Sequence, residues 1–258
     1  MTHYYECTGD ALFSDETKKA MGADEPQLAD AFTLLGVSAG MVGLDVSDLT
    51  RERLHRLLTW TNHMDALIDG RGRFDERLET YEQAAAALAP EPWAPAADAY
   101  VRAPKALLWA EITRSAFAEG DISEERRSQT HRTAVALGYV AAHKMVAPSV
   151  GHYIRTIRTE SILVADMITG CLSDAEANSA EGRGVGAIFR YYMRLGLLAD
   201  SMQDLEEDYK SGITIIPDTA GNMLRLMGAY VSDAVHVVAK SPRSFYTVAR
   251  AGRQLDQA

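Results

Sequence analysis

The chain has 258 residues, of which 47% are hydrophobic and 24% charged, and its formal net charge at pH 7 is −10. This composition is ordinary for a globular protein, and a chain of this length can bury a large core without disulfides. The acidic balance argues against a nucleic-acid partner, because a phosphate backbone requires a basic surface. A phosphorylated small molecule remains compatible if carboxylates bind Mg²⁺ and the metal contacts the phosphate. The simpler explanation of the charge is solubility.

Cysteine usage and the N-terminal segment indicate the compartment. Cys7 and Cys171 suggest no disulfide framework and favour a reduced setting. Residues 1–16 are polar and lack the basic and apolar regions of a signal peptide. No apolar run approaches the roughly 18 residues of a membrane span. We therefore expect a cytoplasmic protein without a membrane span.

Apolar residues recur at helical spacing almost throughout the chain, and strand patterns are nearly absent. The pattern predicts an all-α protein with a single helical domain over residues 1–258. Glycines and Pro148 stand at several of the expected helix ends. The predicted helices cover residues 27–43, 47–69, 74–89, 97–118, 122–146, 150–172, 182–211, 218–239 and 242–255.

The helix predicted over residues 47–69 carries two aspartates on its apolar face. With each residue turning about 100° around the axis, Asp65 and Asp69 fall within about 60° of Leu54, which lies in the apolar stripe. Two carboxylates on a buried face lose solvation and repel each other, and a divalent cation with oxygen ligands removes both penalties. The alternative is a frayed helix end that leaves both aspartates in water.

The helix predicted over residues 182–211 carries three aspartates in one line. Asp200, Asp204 and Asp208 lie near its C-terminal end, where acidic residues oppose the helix dipole and one another. A metal-binding ladder explains this placement better than an acidic surface does. Apolar residues on the same face form a wall that suits the hydrocarbon part of an amphipathic ligand. The candidates for this tail pocket are Phe189, Met193, Gly196 and Leu197.

Two segments resemble the aspartate motifs of a known superfamily. The run from Asp200 to Pro217, DSMQDLEEDYKSGITIIP, resembles the second motif of squalene and phytoene synthases, in which the acidic positions precede a glycine and an apolar stretch ending in proline. The run DALID, from Asp65 to Asp69, resembles the first motif, DxxxD. These enzymes are class I isoprenoid synthases. In length the chain resembles another member, the small prenyltransferase of moenomycin assembly.

The resemblance implies an all-α barrel of helices around a central apolar cavity. Asp65 and Asp69 would face Asp200, Asp204 and Asp208 across its mouth. In such enzymes three Mg²⁺ ions bridge the diphosphate of an allylic prenyl substrate. Loss of the diphosphate produces a cation, which forms a carbon–carbon bond with a second prenyl unit or another acceptor.

Basic residues near the motifs are candidates for binding the diphosphate. The segment HYIRTIR resembles the arginine-bearing helix with which class I terpene cyclases sense diphosphate, and it indicates Arg155 and Arg158. Two surface arginines are the alternative. Lys210 follows the aspartate ladder and is a third candidate, or a plain partner of the helix dipole.

Several alternatives stay open at the level of sequence. Ala66 stands where many relatives carry a second acidic residue, and the chain is short for a squalene or phytoene synthase. The same ionisation can lead to coupling or to cyclisation. A degenerate synthase fold could also bind an isoprenoid without turnover. The oligomeric state, including a homodimer, is left open.

Overall fold

The computed structural model describes residues 36, 38–40, 42–68, 74–86, 89, 104–118 and 120–240. Throughout these ranges the regular structure is helical, with no β-strand, which confirms the all-α prediction for them. The helix predicted over residues 242–255 lies outside them. That the whole chain is one domain stays a prediction.

The structure gives the bounds of eight helices in the described part of the chain. They are α1 (Asp48–Ile68), α2 (Phe74–Ala86), α3 (Pro104–Ala118), α4 (Glu124–Met145), α5 (Val150–Thr169), α6 (Asp174–Asn178), α7 (Ala180–Ser211) and α8 (Ala220–Lys240).

The short helix α6 is absent from the sequence prediction. Ser173 accepts a hydrogen bond from the backbone N–H of Glu176, whose side chain accepts one from the N–H of Ser173, forming a capping box. Five residues are too few to show a helical period, which is why hydrophobic patterning misses this helix. Ser179 then caps α7 by accepting from the N–H of Gly182, so α7 begins two residues earlier than predicted.

The end of α7 agrees with its glycine signal. Gly212 has a φ of 80°, the left-handed conformation that favours glycine at a helix C-cap. The N–H of Ile213 donates to the carbonyl of Asp208 at 2.8 Å, and that of Ile215 donates to the carbonyl of Met145 at 3.2 Å. These bonds attach the chain after α7 to the C-terminal end of α4.

Two clusters of buried apolar side chains hold the helices together. The larger cluster contains residues from each of the helices α1, α2, α3, α4, α5 and α7, among them Trp60, Tyr81 and Phe189. Tyr81 packs against α4 because Gly138 has no side chain, since a Cβ there would lie 1.9 Å from the tyrosine ring. The smaller cluster lies between α5, α7 and α8 and contains Tyr153.

A buried ion cluster fixes α8 against α5 and α7. Asp233 of α8, only 2% exposed, accepts two hydrogen bonds of 2.9 Å from Arg158 and one of 2.6 Å from Arg194. Burial alone would raise the pKa of Asp233, but the hydrogen bonds from Arg194 and Arg158 outweigh it and hold the pKa below its ordinary value. The cluster therefore ties three helices through one ionised carboxylate.

The opposite side of α8 is apolar and exposed. Its exposed residues are Leu224, Met227, Val231, Val235 and Val238. Their spacing keeps them on one side of the helix. Among the helices that the structure describes, none has the length and apolarity needed to cross a membrane.

Replacing Asp233 by alanine should lower the free energy of unfolding by on the order of 2 to 3 kcal/mol, because two arginines lose their partner. Since the folded pKa is depressed, the stabilisation by Asp233 is present at neutral pH and is lost as the pH falls from about 4 through the folded pKa. The two proteins should therefore differ less in stability under acid conditions. Urea unfolding at pH 7 and at acid pH measures both effects.

Glu206→Gln is the control for this experiment. Glu206 and Lys210 form an ion pair on the surface, and exposed pairs contribute little to stability. This variant should keep the parent's midpoint. Equal effects of the two substitutions would show that the Asp233 cluster is not a structural clamp.

Candidate functional site

Four of the five aspartates that the sequence singles out line one cavity of about 220 Å³. Asp65 comes from the C-terminal half of α1, and Asp200, Asp204 and Asp208 come from the C-terminal half of α7. The fifth aspartate, Asp69, lies outside the described residues. The two motifs, which are far apart in the chain, therefore contribute to the same concave site.

The α7 ladder lies at the edge of the buried face of its helix. Ser201 and Leu205, which occupy neighbouring positions around the axis, are buried. Asp200 and Asp204 are exposed and Asp208 is half-buried. Packing of α7 therefore orients the three carboxylates along the cavity while leaving them open to ligands from solvent.

Asp65 is also exposed to solvent, although it lies on a helix whose apolar stripe is buried. Leu54, Leu57 and Leu58 of that stripe are all less than 9% exposed, as the periodicity predicts. Asp65 thus borders an open cavity at the end of the stripe and is not buried in the core. Its carboxylate therefore loses less hydration than the sequence pattern alone would suggest.

An ion pair forms another wall of the cavity. Lys144 of α4 lies 3.0 Å from a carboxylate oxygen of Glu160 on α5, and Glu160 is only 8% exposed. Burial alone would lower the pKa of Lys144, but the charge of Glu160 raises it above its ordinary value, so the lysine is cationic. Sequence analysis missed both residues. Glu160 could have been found by its position on the buried stripe of α5, one turn after Ile157.

Hydroxyl groups complete the polar lining. Tyr153, which is 1% exposed, and Ser201 of α7 both line the cavity. Burial raises the pKa of Tyr153, while the charge of Lys144 opposes the shift. Tyr153 is therefore a neutral hydroxyl at pH 7. Thr214, in the segment attached to α4, also lines the cavity.

The lining has a strong excess of negative charge. Its described residues include five carboxylates and a single ammonium group, a formal excess of four negative charges. Although Asp200 is exposed, its carboxyl loses part of its hydration against the cavity wall, which raises its pKa, and the charge of Asp204 raises the pKa further. Such a site is unfavourable without cations, and binding of a cation would relieve the repulsion.

The donor set suits a hard divalent cation such as Mg²⁺, which prefers carboxylate oxygens and retains several water ligands. Within the ranges that the structure describes, however, no three His, Cys, Asp or Glu side chains are grouped closely enough to hold an ion as they stand. The chemistry of the lining therefore fits Mg²⁺, while a preformed cage of protein ligands is not present in that part of the chain.

The predicted diphosphate-binding residues do not line the cavity. Arg158 belongs to the Asp233 cluster, because its Nε and Nη2 atoms both donate hydrogen bonds to the buried Asp233 carboxylate on α8. Lys210 pairs with Glu206 one turn earlier on α7. Arg155 is exposed on α5. Lys144 is instead the basic residue found at the carboxylates.

Of the four predicted tail-pocket residues, Leu197 lines the cavity and packs against the smaller core. Phe189 is fully buried in the larger core, and Met193 packs against that core. Gly196 is half-buried, and a Cβ there would lie 3.9 Å from the Tyr192 ring. The central apolar cavity and the tail pocket on this face stay predictions.

No protein-family model matches the chain, and no curated protein matches it. The geometry of the carboxylate cavity and the two aspartate motifs are therefore the features of the chain that bear on its function.

Asp200→Asn tests whether the ladder is a ligand site. Because the folded pKa of Asp200 is raised, the stability contribution of this residue is greatest in acid and is lost as the pH rises from about 4 through that pKa. In chelator at pH 7 the variant should be more stable than the parent, by no more than about 1 kcal/mol because solvent screens the exposed carboxylate. Mg²⁺ with diphosphate should stabilise the parent much more than the variant.

Thermal melts of both proteins, with chelator and with Mg²⁺ plus diphosphate, measure these differences. Asp218→Asn is the control, because Asp218 is exposed and does not line the cavity. Asp200 would be a structural residue if Asp200→Asn lowered stability in chelator and gained as much from the ligands as the parent does.

Proposed function

We propose that the protein is a Mg²⁺-dependent isoprenoid synthase that ionises an allylic prenyl diphosphate and forms a carbon–carbon bond with a second prenyl unit or acceptor. One observation carries the proposal. Asp65, from the segment that resembles the first motif of these enzymes, lines the same cavity as Asp200, Asp204 and Asp208 from the second.

The charge of the cavity supports this function over a binding site for a neutral isoprenoid. An apolar ligand would leave the excess of negative charge uncompensated, whereas divalent cations compensate it and then attract an anionic head group. Asp65 and the α7 ladder would hold the ions. Bound Mg²⁺ would supply Lewis-acid stabilisation of the diphosphate leaving group.

The other polar residues of the cavity can orient the diphosphate. The Lys144 ammonium carries three N–H donors, and the Glu160 carboxylate holds it in place from one side. A phosphate oxygen could therefore accept a hydrogen bond from Lys144 without displacing Glu160. Tyr153 and Ser201 add hydroxyl groups whose uncharged state does not repel an anion.

Apolar side chains in the lining suit the part of the substrate next to its head group. Met145, Leu197 and Ile213 line the cavity beside the carboxylates. They would contact the first carbons of the prenyl chain and keep water away from a developing allylic cation. Cyclisation would begin with the same ionisation, so the mass of the product separates it from coupling.

Asp204→Ala and Asp65→Ala should each abolish diphosphate release. Losing several kcal/mol of leaving-group stabilisation corresponds to a fall in rate on the order of a thousandfold. Release of diphosphate is measured with Mg²⁺ and a panel of C10 to C20 prenyl diphosphates, and the products are identified by mass. Activity should vanish in chelator and return when Mg²⁺ is restored.

Glu207→Ala is the matched control, because Glu207 lies on α7 beside the ladder but is exposed and outside the cavity lining. It should keep the parent's rate. Near-normal turnover in both aspartate variants would exclude the proposed metal role. If the protein binds a prenyl diphosphate saturably but releases no inorganic diphosphate from it, the protein is a binding protein and not an enzyme.

A further inference from the structure

A second cavity, of about 230 Å³, lies between α1, α3 and α4 and has no role in the proposed function. It shares no lining residue with the carboxylate cavity. His131 in its lining and Lys144 in the other cavity lie on the same helix, α4, separated by about 20 Å along the axis. The two cavities are therefore separate sites.

The polar part of this cavity is basic. Arg114 of α3 and Arg127 and His131 of α4 line it, and its lining contains no acidic residue among those described. Neither arginine takes part in an ion pair within the described part of the chain.

The arginines of α1 and Arg126 of α4 are compensated by ion pairs. Arg53 pairs with Asp121, and Arg126 lies 4.0 Å from Asp174. The contrast matters in a chain with ten more negative than positive charges, where acidic partners are plentiful. Arg114 and Arg127, which have no ion pair in the described part of the chain, share one cavity, where a ligand could supply the missing anion.

Two buried nitrogen atoms at this cavity have no hydrogen-bond partner among the described residues. They are Nε of Arg127 and Nε2 of His131. A buried polar atom without a partner costs about 1 to 3 kcal/mol, so such atoms usually mark a missing water, ion or ligand. Burial and the charge of Arg132 lower the pKa of His131, so the ring is neutral at pH 7 and keeps one N–H donor.

The remaining wall of the cavity is apolar. Leu57 is fully buried and Phe117 is 7% exposed, and both side chains border the cavity. The volume is smaller than the roughly 300 to 1,000 Å³ of pockets for drug-sized ligands. The ligand must therefore be small and must combine an anionic head with a short hydrocarbon part.

We propose that this cavity binds a small organic oxyanion, either a short-chain carboxylate or a short alkyl phosphate. The guanidinium groups of Arg114 and Arg127 bind the oxygen atoms of the head group, since their forked donors match carboxylate and phosphate geometry. The hydrocarbon part contacts Leu57 and Phe117. The site does not depend on the reaction at the carboxylate cavity.

Titration calorimetry of the full chain with hexanoate, hexyl phosphate and inorganic phosphate tests the proposal. The buffer contains chelator, so that no metal-dependent binding at the carboxylates contributes. At least one of the two organic anions should bind saturably, and inorganic phosphate should bind at least tenfold more weakly. Tighter binding of hexanoate assigns the natural ligand to carboxylates, and tighter binding of hexyl phosphate assigns it to phosphate esters.

Arg114→Gln and Arg127→Gln should each weaken binding of the organic anion at least tenfold. Arg132→Gln is the matched control, because Arg132 lies beside His131 but contacts Gln129 instead of lining the cavity. It should bind like the parent. Asp204→Ala should also bind like the parent, which separates this site from the carboxylate cavity.

Circular dichroism establishes that each variant is folded. If one arginine variant fails to fold, the other variant tests whether the anion binds in this cavity. NMR spectra of the parent provide a second test, because an anion bound there should shift the ring signals of His131. Absence of saturable binding to the parent at millimolar anion, or undiminished binding to the folded arginine variants, would overturn the proposal.

Discussion

The concentration of carboxylates around Lys144 is the constraint on which the rest of the site depends. Asp65, Asp200 and Glu160 reach one small cavity from three helices, and the single ammonium group there balances only one of the five negative charges. Like charges that share a partly buried cavity repel each other more strongly than the same charges would in water. The pKa of Asp200 is raised first by desolvation and then by the charge of Asp204. A fold that keeps such an arrangement must offset its cost by packing elsewhere. Cations that relieve the repulsion would bind more tightly, because part of this cost is then removed.

The packing that offsets this cost lies on the other sides of the same helices. Beside its ladder α7 buries Leu198 and Leu205 against α5 and α8, and the Asp233 cluster ties α8 to both α5 and α7. After Gly212 turns the chain, the bond from Ile215 to Met145 brings the segment back to the end of α4. The carboxylates are thus carried on rigid elements instead of loops. Ligands that must be held within a fraction of an ångström benefit from such support.

Sequence periodicity predicted the parts of the site that depend on one helix alone. The alignment of Asp200, Asp204 and Asp208 follows from helical geometry, and the structure keeps it. Pairs formed between distant segments could not be predicted in this way. Nothing near Arg158 in the chain identifies Asp233 as its partner, and nothing near Lys144 identifies Glu160. The resemblance to a family implied that Asp65 faces the α7 aspartates. That Lys144 lies beside these carboxylates depends on how the helices pack, which the sequence does not indicate.

The two cavities make opposite electrostatic demands on one bundle. The carboxylate cavity needs cations, and the cavity at Arg114 and Arg127 needs an anion. His131 and Lys144 are separated by about 20 Å along α4, and Leu57 and Asp65 by about 12 Å along α1. Both distances exceed the Debye length of about 8 Å at physiological ionic strength. Direct attraction between their ligands through solvent is therefore largely screened. If an anion in one cavity changed metal affinity in the other, the coupling would have to be mechanical. Two helices are able to carry it: α4 contributes His131 to one cavity and Lys144 to the other, and α1 contributes Leu57 and Asp65 in the same way.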